Sequence, residues 1–198
     1  GKMIKNFVQL RSLAKKTPKK IAVASAEEDH LLKAVLLAKK MKVADFILVG
    51  QEKQVRHLIQ NLGGSESDFE IENANSFEDA ANKAALLAST GKVDAVMKGL
   101  LPSPVFLKAV LSESFALKKP GEILSHTVVI KTPGWPLFMA ADCAVNIAPD
   151  LEDKKIILRH AIEVAHKLGF EKPNVAIVTA SETVNKKEVG QFLRNQEN

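Results

Sequence analysis

Between residues 21 and 99, four short apolar runs alternate with three amphipathic ones, and this alternation is the strongest constraint on the fold. IAVASA (21–26), DFILVG (45–50), FEIENA (69–74) and VDAVMKG (93–99) have the length and composition of strands. EEDHLLKAVLLAKKMK (27–42), QEKQVRHLIQNLGG (51–64) and SFEDAANKAALLAST (76–90) repeat their apolar residues at helical spacing. Strands that are almost wholly apolar must be buried on both faces, and helices between consecutive strands impose right-handed crossovers. The expected result is a parallel sheet sandwiched by helices.

The helices carry their own punctuation. Acids lead and lysines trail in 27–42, as the macrodipole favours, Gly63-Gly64 closes 51–64, and Ser76 with Asp79 resembles a capping box. Upstream, residues 3–16 place Ile4, Phe7, Val8 and Leu13 at helical spacing before the stop at Thr17-Pro18.

Past residue 120 the pattern changes. ILSHTVVIK (123–131) and LFMAAD (137–142) flank the turn TPGWP and are expected to form a hairpin. A long amphipathic helix ends at Gly169, and NVAIVTA (174–180) reads as a further buried strand. The polar break LKKPGE (117–122) divides the chain into an expected first α/β domain, 1–122, and a second, 123–198.

Composition removes several function classes. The net charge of +5 comes from scattered basic residues, and with 5% aromatic residues and no tyrosine there is no stacking platform for nucleic acid. No apolar run approaches the ~20 residues of a membrane span, and GKMIKNFVQLRSLAKK is too polar and too periodic for a secretory signal. The single cysteine, Cys143, excludes an internal disulfide and fits a reducing cytoplasm. Neither a Walker-type phosphate loop nor a GxGxxG run after a strand occurs, and the five histidines show no metal-ligand spacing with the cysteine. No metal and no bound cofactor are expected.

Open parallel sheets bind ligands at the carboxyl ends of their strands. Lys98 and Gly99 fall at such an end, where a lysine reaches an anion and a glycine lets a backbone N–H approach it; Pro102 or Pro104 then starts a helix. The same residues also suit a lysine that snorkels out of a strand end and a glycine that serves a turn. Ser125 and His126 interrupt an apolar strand and need polar partners, from a ligand or from the protein itself. Ser181, with Glu182, follows the last apolar run as Lys98 follows the fourth. Lys98, Gly99, Ser125, His126 and Ser181 are the candidate substrate-binding residues, each able to donate to an anionic ligand.

DAVMKGLLPSPVFLKAVL, ILSHTVVI, FMAADCAVNIAPDLEDKKIILRHAIEVAHKLGF and NVAIVTASETVN, in this order and spacing, resemble the phosphate acetyl/butyryltransferase family, most closely its butyryltransferase branch. The resemblance implies a two-domain α/β fold of the isocitrate/isopropylmalate dehydrogenase-like type with the site in the interdomain cleft. It implies a cytoplasmic homodimer or larger assembly that passes an acyl group between coenzyme A, a substrate, and inorganic phosphate, giving acyl phosphate. Nothing after Asn185 matches. On that reading the second domain is incomplete, the catalytic carboxylate lies beyond the end of the chain, and turnover by this form is low or absent. The apolar 174–180 strand would then be hidden by a partner subunit. The alternative is a non-catalytic or truncated member that binds CoA or another anionic ligand in the cleft. A metal- and NAD-dependent hydroxyacid dehydrogenase on the same fold lacks the paired aspartates and histidines such chemistry requires.

Overall fold

Strand alternation in the two central runs decides the architecture. In this computed structural model, which describes residues 3–178, β1 (Lys19–Ala24) turns Ala22 and Ala24 to one face and Val23 to the other. Likewise β2 (Ala44–Gly50) divides Ile47 and Val49 from Phe46 and Leu48. Both faces are apolar, so both must be covered. On the Val23 side lie α2 (Asp29–Lys40) and α3 (Glu52–Asn61), which bury Leu32, Val35, Val55 and Ile59. On the other lie α4 (Phe77–Ser89) and α5 (Ser103–Val110). The buried face of α4 is Ala80, Ala81, Ala84 and Ala85, and its small side chains match the alanines of β1. Each fully buried aliphatic side chain here, such as Leu48, stabilises the fold by roughly 1.5–3 kcal/mol.

With β3 (Glu70–Asn73) and β4 (Ala95–Lys98), the sheet is parallel throughout in the order β3-β2-β1-β4. The chain winds outward from β1 to β3 and then returns to the other side of β1. The order therefore reverses between β1 and β4, which is the position where sheets of this type open a crevice.

The helix ends follow the sequence signals. Ser76 accepts the Asp79 amide at the start of α4, but the reciprocal bond is displaced, since Asp79 accepts from Asn75 rather than from Ser76. At α2 the cap is Glu28, whose carboxylate accepts the His30 and Leu31 amides and is held below the usual carboxylate range by them.

The expected hairpin is present: β5 (Thr127–Ile130) pairs antiparallel with β6 (Phe138–Ala141). β5 is shorter than 123–131, because the His126 amide is taken by a side chain instead of the ladder. Behind the hairpin runs α6 (Leu151–Lys167), started by a full capping box between Asp150 and Asp153.

Two expectations are corrected. In α1 (Phe7–Ala14) the anticipated apolar face is largely exposed, at 42% for Phe7, 61% for Val8 and 43% for Leu13. The segment instead buries Ile4 and packs Leu10 against a core that includes Leu137, Val129, Val164 and Leu168, from the hairpin and the region of α6. The strand expected at 174–180 is not a ladder strand over its described part, 174–178, and Ile177 and Val178 are 73% and 92% exposed. A strand exists only with a partner, and among the described residues β5 and β6 pair only with each other. Among those residues, too, no helix is long and apolar enough to cross a membrane.

The closest backbone approach in the sheet supplies a test. A Cβ on Gly99 would lie 2.0 Å from the Ser25 carbonyl oxygen and 2.6 Å from that of Ala24. Backbone cannot yield as a side chain does, so Gly99→Ala is expected to destabilise the protein by at least ~1–3 kcal/mol, read as a lower urea midpoint at unchanged slope.

Candidate functional site

The junction between the carboxyl ends of β1 and β4 is built by backbone. Leaving β1, the chain turns at Ser25, which is 1% exposed and held at φ 61°. The Gly99 amide donates to the Ala24 carbonyl at 2.8 Å and the Leu100 amide to the Ser25 carbonyl at 2.7 Å, fastening the exit of β4 to that of β1. The Ser25 hydroxyl, 2.8 Å from the Leu100 carbonyl, closes the same junction. The Gly99 N–H, expected to approach a ligand, is thus already committed. Glycine is needed here because two backbones meet.

At the neighbouring strand end a carboxylate fills the position where a helix N-terminus would otherwise receive an anion. Glu27 accepts the Gln51 amide at 3.0 Å, ahead of α3, and lies 3.1 Å from the Ser25 hydroxyl. Gly50 makes room for it, since a Cβ there would meet Glu27 Oε2 at 2.4 Å. Lys98 ends β4 on the other side of the junction. Its side chain is exposed, its ammonium contacts only the Gly99 carbonyl, at 3.3 Å, and among the described residues it forms no ion pair.

Ser125 and His126 are adjacent in sequence but engaged differently. The Ser125 hydroxyl is 2.7 Å from His160 Nδ1 on α6, and His160 Nε2 is 2.8 Å from Glu122 Oε2. Arg159 donates to Glu122 Oε1 at 2.6 Å. The bond to His160, with the Arg159 charge beside it, holds the Glu122 carboxyl below the ordinary range despite partial desolvation. A hollow of about 480 Å³ lies over this cluster between Val110, Leu111 and Lys118 on one side and Arg159, His160 and Glu163 on the other. A second, of about 320 Å³, is lined by Ser125, Thr127, His160 and Val164. Neither of these two hollows is lined by Lys98, Gly99 or His126; of the four candidates within the described residues only Ser125 lines one. Ser181 lies outside the described residues.

His126 instead faces the loop after β6. Its amide donates to Asp142 Oδ2, and its buried Nδ1 has no hydrogen-bond partner. Asp142 gathers four donors: the amides of His126, Ala144 and Val145, and the Asn146 side-chain amide. Desolvation pushes its carboxyl up, and the four donors outweigh that, bringing it from 3.8 down to about 2. Asn146 also donates to the Leu124 carbonyl, so this knot fixes the backbone just before Ser125.

Sequence reasoning did not single out Glu122, Asp142 or Arg159, and it left His160 as an ordinary helix residue. One signal was available for His160: it falls on the same helical face as the buried Ile157 and the packed Val164, where a polar side chain must find a partner.

The sequence profile described as Phosphate acetyl/butaryl transferase matches residues 6–81 and 68–191, so the family likeness runs past Asn185, where it was expected to stop. The chain is 40% identical over 187 residues to a phosphate butyryltransferase of Clostridium acetobutylicum, covering 93% of this chain and 62% of that protein. To the phosphate butyryltransferase of Clostridium beijerinckii it is 36% identical over 185 residues, covering 92% and 61%. It superposes on the crystal structure of a branched-chain phosphotransacylase from Enterococcus faecalis with a TM-score of 0.72 at 27% identity, covering 90% of this chain and 62% of that one. The chain thus spans about three fifths of the length of these relatives.

The Asp142 knot has a signed pH dependence. Its carboxyl is depressed in the folded state, so the stabilisation is complete above the unfolded value near 3.8 and is lost as pH falls towards about 2. With allowance for solvent screening, Asp142→Asn is expected to cost about 1–2 kcal/mol at neutral pH. Thermal melts of both proteins from pH 7 downward should show the gap closing only below pH ~4.

Proposed function

This chain belongs to the phosphate acetyl/butaryl transferase family, and we propose that the protein it represents transfers a short acyl group between coenzyme A and inorganic phosphate, giving acyl phosphate and free CoA. The observation that carries the reading is the 36–40% identity to phosphate butyryltransferases in alignments that cover more than nine tenths of this chain. We read the protein as two α/β units, divided near residue 122, with the reacting groups held between them.

The chemistry asks for donors rather than redox machinery. When a thiolate adds to an acyl phosphate carbonyl, negative charge builds on the carbonyl oxygen and then on the departing phosphate, and fixed cations and N–H groups stabilise both. Lys98 suits the phosphate as an exposed, unpaired point charge at the reversal of strand order. The Glu27 carboxylate, occupying the N-terminal approach to α3, disfavours an anion on the β2 side of the junction and leaves the β4 side for it. Ser125 belongs to the hydrogen-bonded wall facing α6, while His126, tied to Asp142, fixes the backbone that carries Ser125.

Trapping acyl phosphate as its hydroxamate, with butyryl-CoA and phosphate as substrates, tests the function directly. Phosphate-dependent hydroxamate is expected, and CoA release without any acyl phosphate would overturn the reading. Lys98→Ala is expected to weaken the apparent affinity for phosphate or acyl phosphate about tenfold or more, with a melting temperature within a few degrees of the parent. Equal affinity in both proteins would remove Lys98 from the site.

A further inference from the structure

Glu122, His160 and Ser125 form a hydrogen-bonded line that acyl transfer to phosphate does not require. A carboxylate only accepts, so the His160 nitrogen facing Glu122, Nε2, carries a hydrogen. In the neutral ring Nδ1 is then left with its lone pair, 2.7 Å from the Ser125 oxygen, and the hydroxyl donates to it. Arg159 holds the far oxygen of Glu122 and so fixes the carboxylate's orientation. Nucleophile, base and orienting acid are recognised by such contacts rather than by their order along a chain.

The same bonds would also tie the 118–125 segment to α6. A clamp of that kind, however, needs no open volume in front of its hydroxyl. Here Ser125 and His160 line the 320 Å³ hollow, with Ile123, Leu124 and Val164 as its apolar side and Thr127, Glu163 and Lys167 as its polar rim, and the side chains of His160 and Glu122 are 26% and 27% exposed. A hollow of this size is within the range that holds small molecules.

We propose that Ser125 is an acyl-accepting nucleophile, with His160 as its base and Glu122 as a positioning residue, and that this site hydrolyses activated short-chain acyl esters and thioesters. Ser125 Oγ adds to the carbonyl carbon while its proton passes to His160 Nδ1. The bond to the leaving oxygen or sulfur breaks, and the leaving group takes that proton. Water then attacks the acyl-serine and gives a proton to Nδ1. That proton returns to Ser125 Oγ as the ester bond breaks, releasing the carboxylic acid. The activity depends on neither Lys98, phosphate nor coenzyme A, so it stands or falls separately from the transferase reading.

The test uses the unmodified chain in buffer free of phosphate and CoA. p-Nitrophenyl butyrate hydrolysis above the buffer rate is expected, together with a single adduct from a fluorophosphonate reagent, located on Ser125 by peptide mass mapping. Ser125→Ala should lower hydrolysis by ~50-fold or more and His160→Gln by ~20-fold or more, with melting temperatures near the parent's. Glu122→Gln should slow labelling about tenfold with the melting temperature near the parent's. Glu122→Asp should restore part of the rate. Adduct mapping needs no variant, so a Ser125→Ala protein that fails to fold leaves the result intact. An unlabelled Ser125 in the parent protein, or undiminished hydrolysis in a folded Ser125→Ala, overturns the proposal.

Discussion

The carbonyl oxygen of Ser25 occupies the space that any side chain on Gly99 would need, and the carboxyl-terminal end of the sheet is organised around that contact. Because the two backbones touch there, the strands on either side of the order reversal cannot splay. Ser25 accepts a left-handed conformation to complete the turn, and β4 must end at Lys98 because the next residue is already fastened to β1. A generic αβ crevice is open at this point. Here its floor is closed by main chain, and the features that distinguish one side of it from the other are side chains at its rim.

Those rim side chains carry opposite signs. Glu27 and Glu28 satisfy amides leading into α2 and α3, so both helix starts on that face of the sheet are neutralised from within. Among the described residues Lys98 has no such compensation. Among the described residues the acids at this end of the sheet lie on the β2 side and are spent on helix amides, while the lysine lies on the β4 side.

Legibility in the sequence followed the range of the interactions involved. Strands β1 and β2 and the helices between them were readable because burial on two faces leaves an unmistakable apolar run, and the β5–β6 hairpin because a Pro-Gly turn separates two such runs. The family was readable from motifs spread along the chain. Interactions set by distant partners were not. Nothing local to Gly99 says that its amide is spent on Ala24, and nothing in ADCAVN says that Asp142 collects four donors. Val175, Ile177 and Val178 look like core residues, but burial is a property of what lies opposite, and over the described residues they are exposed. Ser125 was rightly noticed as a polar residue in need of a partner; that the partner sits on α6, with Glu122 behind it, is a tertiary fact.

The amide of Ile4 donates to the carbonyl of Leu168, and Ile4 is buried beside Leu137 and Leu168. The segment around Ile4 thus has its resting place on one of the last that the structure describes. Its contacts close nearly the longest loop available to the described chain, and the entropy of that closure falls after the sheet and its four covering helices have had time to form. During synthesis α1 precedes the hairpin and helix it packs against, so its apolar side chains stay uncovered until those elements have emerged.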